Sequence, residues 1–153
     1  MKITTRGRFA VNAMMHIVMN KDHVPISITE IAEHQNISVA YLEQIFCKLR
    51  RAGLVKSVRG PGGGYYLGQD GESITVLSII NAVDEDLDPR QCRGHEGCKG
   101  DGNCLTHALW DSLNTLTQDY LESVTLRAIR LGLQRRTINL PRKMEASRKS
   151  ENA

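Results

Sequence analysis

The sequence predicts a mainly α-helical fold that carries one small β-hairpin and ends in a long helix. Three observations lead there. Apolar residues recur at helical spacing in five separate stretches, one glycine-rich turn (GPGGG, 60–64) divides two β-rich runs, and Leu105, Leu109, Leu113, Leu116, Tyr120 and Val124 keep steps of three or four.

Each element has its own local warrant. Ala10, Val11, Ala13, Met14, Ile17 and Val18 set a first helix over 5–20, with Phe9 at the edge of its core face. Ser27-Ile28-Thr29-Glu30 matches a capping box, in which the serine and the glutamate three residues on satisfy free backbone amides, and starts a short helix from Ile28 to about Gln35. Ser38 can cap a third helix to about Ala52, with Gly53 as its stop. Its apolar stripe is Leu42, Ile45, Phe46 and Leu49; Ala40, Gln44, Cys47 and Arg51 project on the opposite face, flanked by Glu43 and Lys48. Leu54–Arg59 and Tyr65–Leu67 form the hairpin, and residues 76–83 (VLSIINAV) a fourth helix. An acidic run, Asp84, Glu85, Asp86 and Asp88, reads as a solvated turn. A last helix of roughly 25 residues from Leu105 to about Leu131 would be about 38 Å long, more than so small a body covers, so packing against a second copy is its natural use.

Two short helices joined by a tight turn, the second polar and basic outside, form a helix-turn-helix, and a hairpin directly after it makes a winged helix-turn-helix. The expected organisation is a DNA-binding domain over 1–83 (helix-turn-helix about 28–51, wing about 54–68), an acidic turn and cysteine loop over 84–104, a dimerisation helix over 105–131, and a disordered basic tail over 132–153.

The net charge of +3 identifies no partner, but its distribution is informative. Residues 1–75 hold nine Lys/Arg and six Asp/Glu, 76–126 three and nine, 127–153 eight and two. Between Gln44 and Gln69 stand Lys48, Arg50, Arg51, Lys56 and Arg59 with no acidic residue, as on a surface that faces a polyanion. Gln44 can pair with adenine, Glu43 can accept from cytosine N4 while repelling phosphate, and Arg59 at the wing tip is placed for a minor groove. The candidate contacts with double-stranded DNA are Ser38, Ala40, Tyr41, Glu43, Gln44, Lys48 and Arg51 on the helix and Ser57, Arg59, Gly60, Pro61 and Gly62 on the wing.

Other classes fit poorly. GPGGG lacks the Gly-Lys-Ser/Thr ending of a phosphate loop, and neither a Ser/His/Asp set nor an HExxH pattern points to an enzyme. The first twenty residues carry Asn12 and His16 within their apolar part, and no stretch approaches eighteen unbroken apolar residues; the expected compartment is the cytoplasm, with no membrane partner.

Residues 92–107, CRGHEGCKGDGNCLTH, hold three of the four cysteines in a loop with almost nothing apolar. Cys104 and His107 are three apart where the last helix begins, so both can lie on its first turn, and the glycine-rich loop can fold back to bring Cys92 and Cys98 to the same point. Three thiolates and one imidazole suit tetrahedral zinc or an iron-sulfur cluster, and the five-residue gaps do not match the usual zinc knuckle. His95, in the middle of a gap, is the poorer ligand candidate. Cys47 reads as a small outer-face residue rather than a redox centre.

With these motifs in hand (GRFAV, YLEQIF, LVKSVRGPGGGY, the C-x₅-C-x₅-C-x₂-H loop and CLTHALW), residues 1–131 resemble the family of winged-helix regulators typified by the iron-sulfur cluster regulator IscR. The resemblance implies a homodimer that binds a 2Fe-2S cluster through Cys92, Cys98, Cys104 and His107 and regulates cluster-assembly and related genes at roughly palindromic operators. Ala40 departs from the family pattern, which has a hydroxyl residue there. The alternatives are a nitric-oxide or redox-sensing regulator of the same fold, a zinc-structured one, and, in another class, a cluster carrier or electron-transfer protein.

Overall fold

The computed structural model describes residues 3–20, 24–83, 87–88 and 106–132. Its elements are α1 (Thr5–Met19), α2 (Ile28–Gln35), α3 (Val39–Arg51), β1 (Val55–Val58), β2 (Gly64–Leu67), α4 (Val76–Ala82), α5 (His107–Ser123) and α6 (Leu126–Arg130). The mainly α fold with one hairpin is the expected one, and the first four helices fall within a residue or so of their expected limits.

Capping explains that agreement. Ser27 Oγ accepts from the Glu30 amide at 3.1 Å and Ser38 Oγ from the Tyr41 amide at 3.2 Å, so both helices of the α2–α3 pair begin where a hydroxyl satisfies a free N–H. Asn36 ends α2 in the left-handed region at φ 53, a conformation Asn tolerates better than most residues. Gly53 and Leu54 close α3 by donating to Arg50 and Leu49 carbonyls, both at 3.0 Å, the two bonds of a Schellman motif.

A single main core lies where α1, α3, α4 and β1 meet, and its fully buried side chains include Met14, Ile31, Leu42, Ile45, Phe46, Leu49, Ile74, Ile79 and Leu126. A smaller cluster of Val76, Ile80, Leu87 and Val124 sits under the start of α4, against Leu121 of α5 and Ile129 of α6. The strands pair antiparallel in the register Val55↔Leu67 to Val58↔Gly64.

The last helix differs from expectation. Rather than continuing to Leu131, α5 stops at Ser123; Val124 and Thr125 are extended, and Thr125 pairs with Thr75 as an isolated bridge. Thr125 then caps α6, accepting from the Ala128 amide at 3.1 Å. The physical reason is burial. Turning at Val124 puts Leu126 at 0% exposure in the main core and Val124 at 6% in the second, which a straight helix could not do. Thr75 caps α4, accepting from the Ser78 amide at 3.1 Å, and fastens the corner by donating to Glu122 Oε2 at 2.9 Å. The segment after 123 therefore belongs to the main body, packed on α1. Glu85, Asp86 and Asp84 of the acidic run and the basic tail from residue 133 lie outside the described residues.

Candidate nucleic-acid interface

Helix α3 buries Leu42, Ile45, Phe46 and Leu49 at 0–1% exposure, which fixes its roll and turns the other face outward. On that face Ala40, Glu43, Gln44 and Arg51 are exposed together with Arg50, while Cys47 and Lys48 are half-buried. Ser38 is exposed at the N-cap. Tyr41 is half-buried, its ring edge-on to Phe9 of α1 with centroids 6.1 Å apart. The named side chains of α3 thus reach the surface in whole or in part, with Tyr41 partly committed to packing.

The wing is positioned by two separate ties. Tyr65 lies against Phe46 with ring centroids 4.5 Å apart, joining β2 to the buried side of α3. Ile26 and Tyr65 exchange backbone hydrogen bonds at 2.9 and 2.8 Å, adding the residue before the α2 cap to the hairpin as a third edge. That approach needs a glycine at 64, where a Cβ would stand 2.3 Å from the Ile26 carbonyl oxygen. At the tip Gly60 and Gly62 have φ 99 and 72, and Arg59, Gly60, Pro61 and Gly62 are all exposed, as is Ser57 on β1. The backbone there is open to a close neighbour such as a phosphate.

Sequence reasoning missed one side of this surface. A groove of about 360 Å³ runs between the start of α1 and α3, lined by Thr4, Thr5 and Arg6 together with Tyr41, Gln44 and Lys48. The signal was present in the polar, basic beginning TTRGR, but which helix face it would adjoin depends on how α1 crosses α3.

Of the candidate metal ligands, His107 is half-buried and is the first residue of α5. Cys92, Cys98, Cys104 and His95 lie outside the described residues, and among the described residues no three His, Cys, Asp or Glu side chains stand in ligating geometry. The donor set itself, three thiolates and an imidazole, fits an iron-sulfur cluster. No helix among the described residues is long and apolar enough to cross a membrane.

Comparison with known proteins agrees with this geometry. Residues 3–130 match the Rrf2 family, described as iron-dependent transcriptional regulators. The HTH-type transcriptional regulator IscR of Escherichia coli (strain K12 / DH10B) is 49% identical over 126 residues, covering 82% of this chain and 78% of that protein. Among solved structures, CymR (YrzC), the global cysteine regulator of B. subtilis, superposes with a TM-score of 0.73 at 33% identity, over 84% of this chain and 95% of the other. IscR of T. potens gives a TM-score of 0.71 at 30% identity, over 94% and 96%. A capped helix-turn-helix with a polar outer face, a wing tied to it by Tyr65 and matches over most of the chain lead to one assignment: the chain belongs to the Rrf2 family of iron-dependent transcriptional regulators and is a DNA-binding winged-helix regulator, not an enzyme.

Proposed function

We propose that the chain works as a homodimer whose operator binding is set by a 2Fe-2S cluster held by Cys92, Cys98, Cys104 and His107, and that it controls genes of iron-sulfur cluster assembly. The observation that carries this reading is the position of His107. It opens α5, and the other end of α5 turns at Val124 into the core, where Leu126 is packed and Thr75 is bonded to Glu122. A ligand at one end of a helix and the DNA-binding core at the other give loop ordering a route to the recognition face.

When bound, the cluster supplies a redox-labile centre that joins the 92–104 loop to the first turn of α5. The residues of the chain do the rest. His107 would ligate through a neutral imidazole nitrogen, the one nitrogen donor beside three thiolates. Leu109, Trp110 and Tyr120, at 59, 40 and 46% exposure, offer α5 an apolar face for its twin. With 1–83 as the DNA-reading unit, 84–104 as the sensing loop and α5 as the dimer element, two α3 helices would meet major grooves about 34–36 Å apart or a multiple of it, so the operator is roughly palindromic. On DNA, Ser38, Ala40, Tyr41, Glu43, Gln44, Lys48 and Arg51 would meet the major groove and its phosphates. Ser57, Arg59, Gly60, Pro61 and Gly62 would engage the adjacent backbone and minor groove.

Anaerobic purification tests the cofactor. Red-brown protein containing iron and acid-labile sulfide is expected; colourless protein with stoichiometric zinc would replace the cluster with a structural ion. His107→Ala should lower cluster retention in a folded dimer, and an unchanged visible spectrum in that variant would remove His107 from the ligand set.

A further inference from the structure

Three residues, one from α1 and two from α2, meet beside the turn of the helix-turn-helix. His16 of α1 and His34 of α2 stand ring to ring, with centroids 4.7 Å apart and planes at 79°. His16 Nε2 is 3.9 Å from Glu30 Oε1. Glu30 and His34 are four residues apart on α2, the spacing that puts two side chains on one face of a helix. All three line an open cleft of about 780 Å³ between α1 and α2.

We propose that His16, Glu30 and His34 form a binding site for a divalent first-row transition ion of the zinc or nickel type. Two imidazoles and one carboxylate are the donors such ions favour over calcium or magnesium, which prefer all-oxygen shells. The i, i+4 pair on α2 makes a chelate and His16 closes it from the opposing helix, as in helix-borne sites in which ligands come from both partners of a packed pair. The donors do not converge as they stand: among the described residues no three are at ligating positions. The Glu30 side chain is 64% exposed and His34 is exposed, so both can rotate towards His16, whose side chain is held at 21% exposure. The cleft is open, which leaves room for water to complete the coordination.

An alternative reading of the same contact is simple packing, in which edge-to-face rings join α1 to α2. In that reading Glu30 serves only the start of α2 and pairs with His16, and neither imidazole moves when a metal ion is added. An ion held here would fasten the first helix of the helix-turn-helix to α1, so its binding should also raise the thermal midpoint of the whole domain.

The test uses the full chain with Cys92, Cys98 and Cys104 replaced by alanine, so that thiolates do not compete for the probe. Titration with Ni²⁺ by calorimetry should show one equivalent bound, with affinity lowered at least about tenfold in both His34→Ala and Glu30→Gln. Both positions are exposed, and far-UV circular dichroism verifies that the variants stay folded. In a parallel Zn²⁺ titration followed by NMR, imidazole signals from two of the five histidines should move, and those two should be the ones lost in His16→Ala and His34→Ala. Absence of binding, equal affinity in the variants, or movement of other imidazoles instead would overturn the site.

Discussion

Helices α3 and α5 are both amphipathic, and their apolar stripes meet opposite fates. In α3, Leu42, Ile45, Phe46 and Leu49 are all at 0–1% exposure. In α5 the one buried residue is Asn114, while Leu109, Trp110 and Tyr120 face outward and Leu113 and Leu116 are half-buried. One stripe has its complement within the chain; the other finds none for Leu109, Trp110 and Tyr120 among the described residues. Burying a large apolar side chain stabilises by about 1.5–3 kcal/mol, so leaving several on one helix face costs enough that a second copy is the natural cover. The fold therefore holds α3 rigid, whereas a second copy would complete the exposed side of α5, and a sensor acts most effectively on the part that is least settled.

The largest expected effect comes from breaking the incomplete side. Replacing Leu109 and Leu116 together by glutamate should give a monomer in sedimentation equilibrium that keeps its helical circular dichroism. Its affinity for a palindromic operator should fall at least about a hundredfold, because the second half-site is no longer bound intramolecularly. A variant that remains dimeric would show that this face of α5 is not the interface.

The complementary experiment breaks the finished side. Phe46→Ala removes a fully buried ring that also supports Tyr65 of the wing, and should cost about 3–5 kcal/mol in urea unfolding, with loss of operator binding. The double glutamate variant should lose assembly before stability and Phe46→Ala stability first. If Phe46→Ala unfolds at the wild-type urea midpoint, the contrast between the two helices does not hold.

The same contrast decides what could be read in advance. Helices α2 and α3 were legible because each begins with a serine cap and α3 carries an unbroken i, i+3, i+4, i+7 stripe, and these local signals agree with the tertiary packing. The end of α5 was not. Val124 sits at helical spacing from Tyr120, and periodicity alone does not separate a helical residue from an extended one that is buried by a corner. The clue was Ser123-Val124-Thr125, three poor helix formers ending in a residue able to cap α6. Contacts made by single residues across the fold, such as Ile26 with Tyr65 and His16 with His34, leave no repeat in the sequence at all. Among the proposed DNA contacts, the exposure of Glu43, Gln44 and Arg59 followed from projection and turn chemistry, but the groove shared with Thr4, Thr5 and Arg6 required the crossing of α1 on α3.

The smallest effect is the most selective and concerns Glu43, an acidic residue on a face otherwise suited to phosphate. A carboxylate exposed among Lys48, Arg50 and Arg51 opposes non-specific attraction to the DNA backbone, and it is favourable only where a donor such as cytosine N4 stands opposite. Glu43→Ala should therefore change two affinities in opposite directions. Binding to the preferred operator should weaken by about 1–3 kcal/mol at most, while binding to unrelated duplex should strengthen, so that the ratio between them falls. Competition assays at fixed salt, with operators varied one base pair at a time, would locate the lost discrimination at one symmetric position in each half-site. Equal weakening on every sequence would instead make Glu43 a support for the fold of α3, a role that its exposure on the flank of the outer face does not suit.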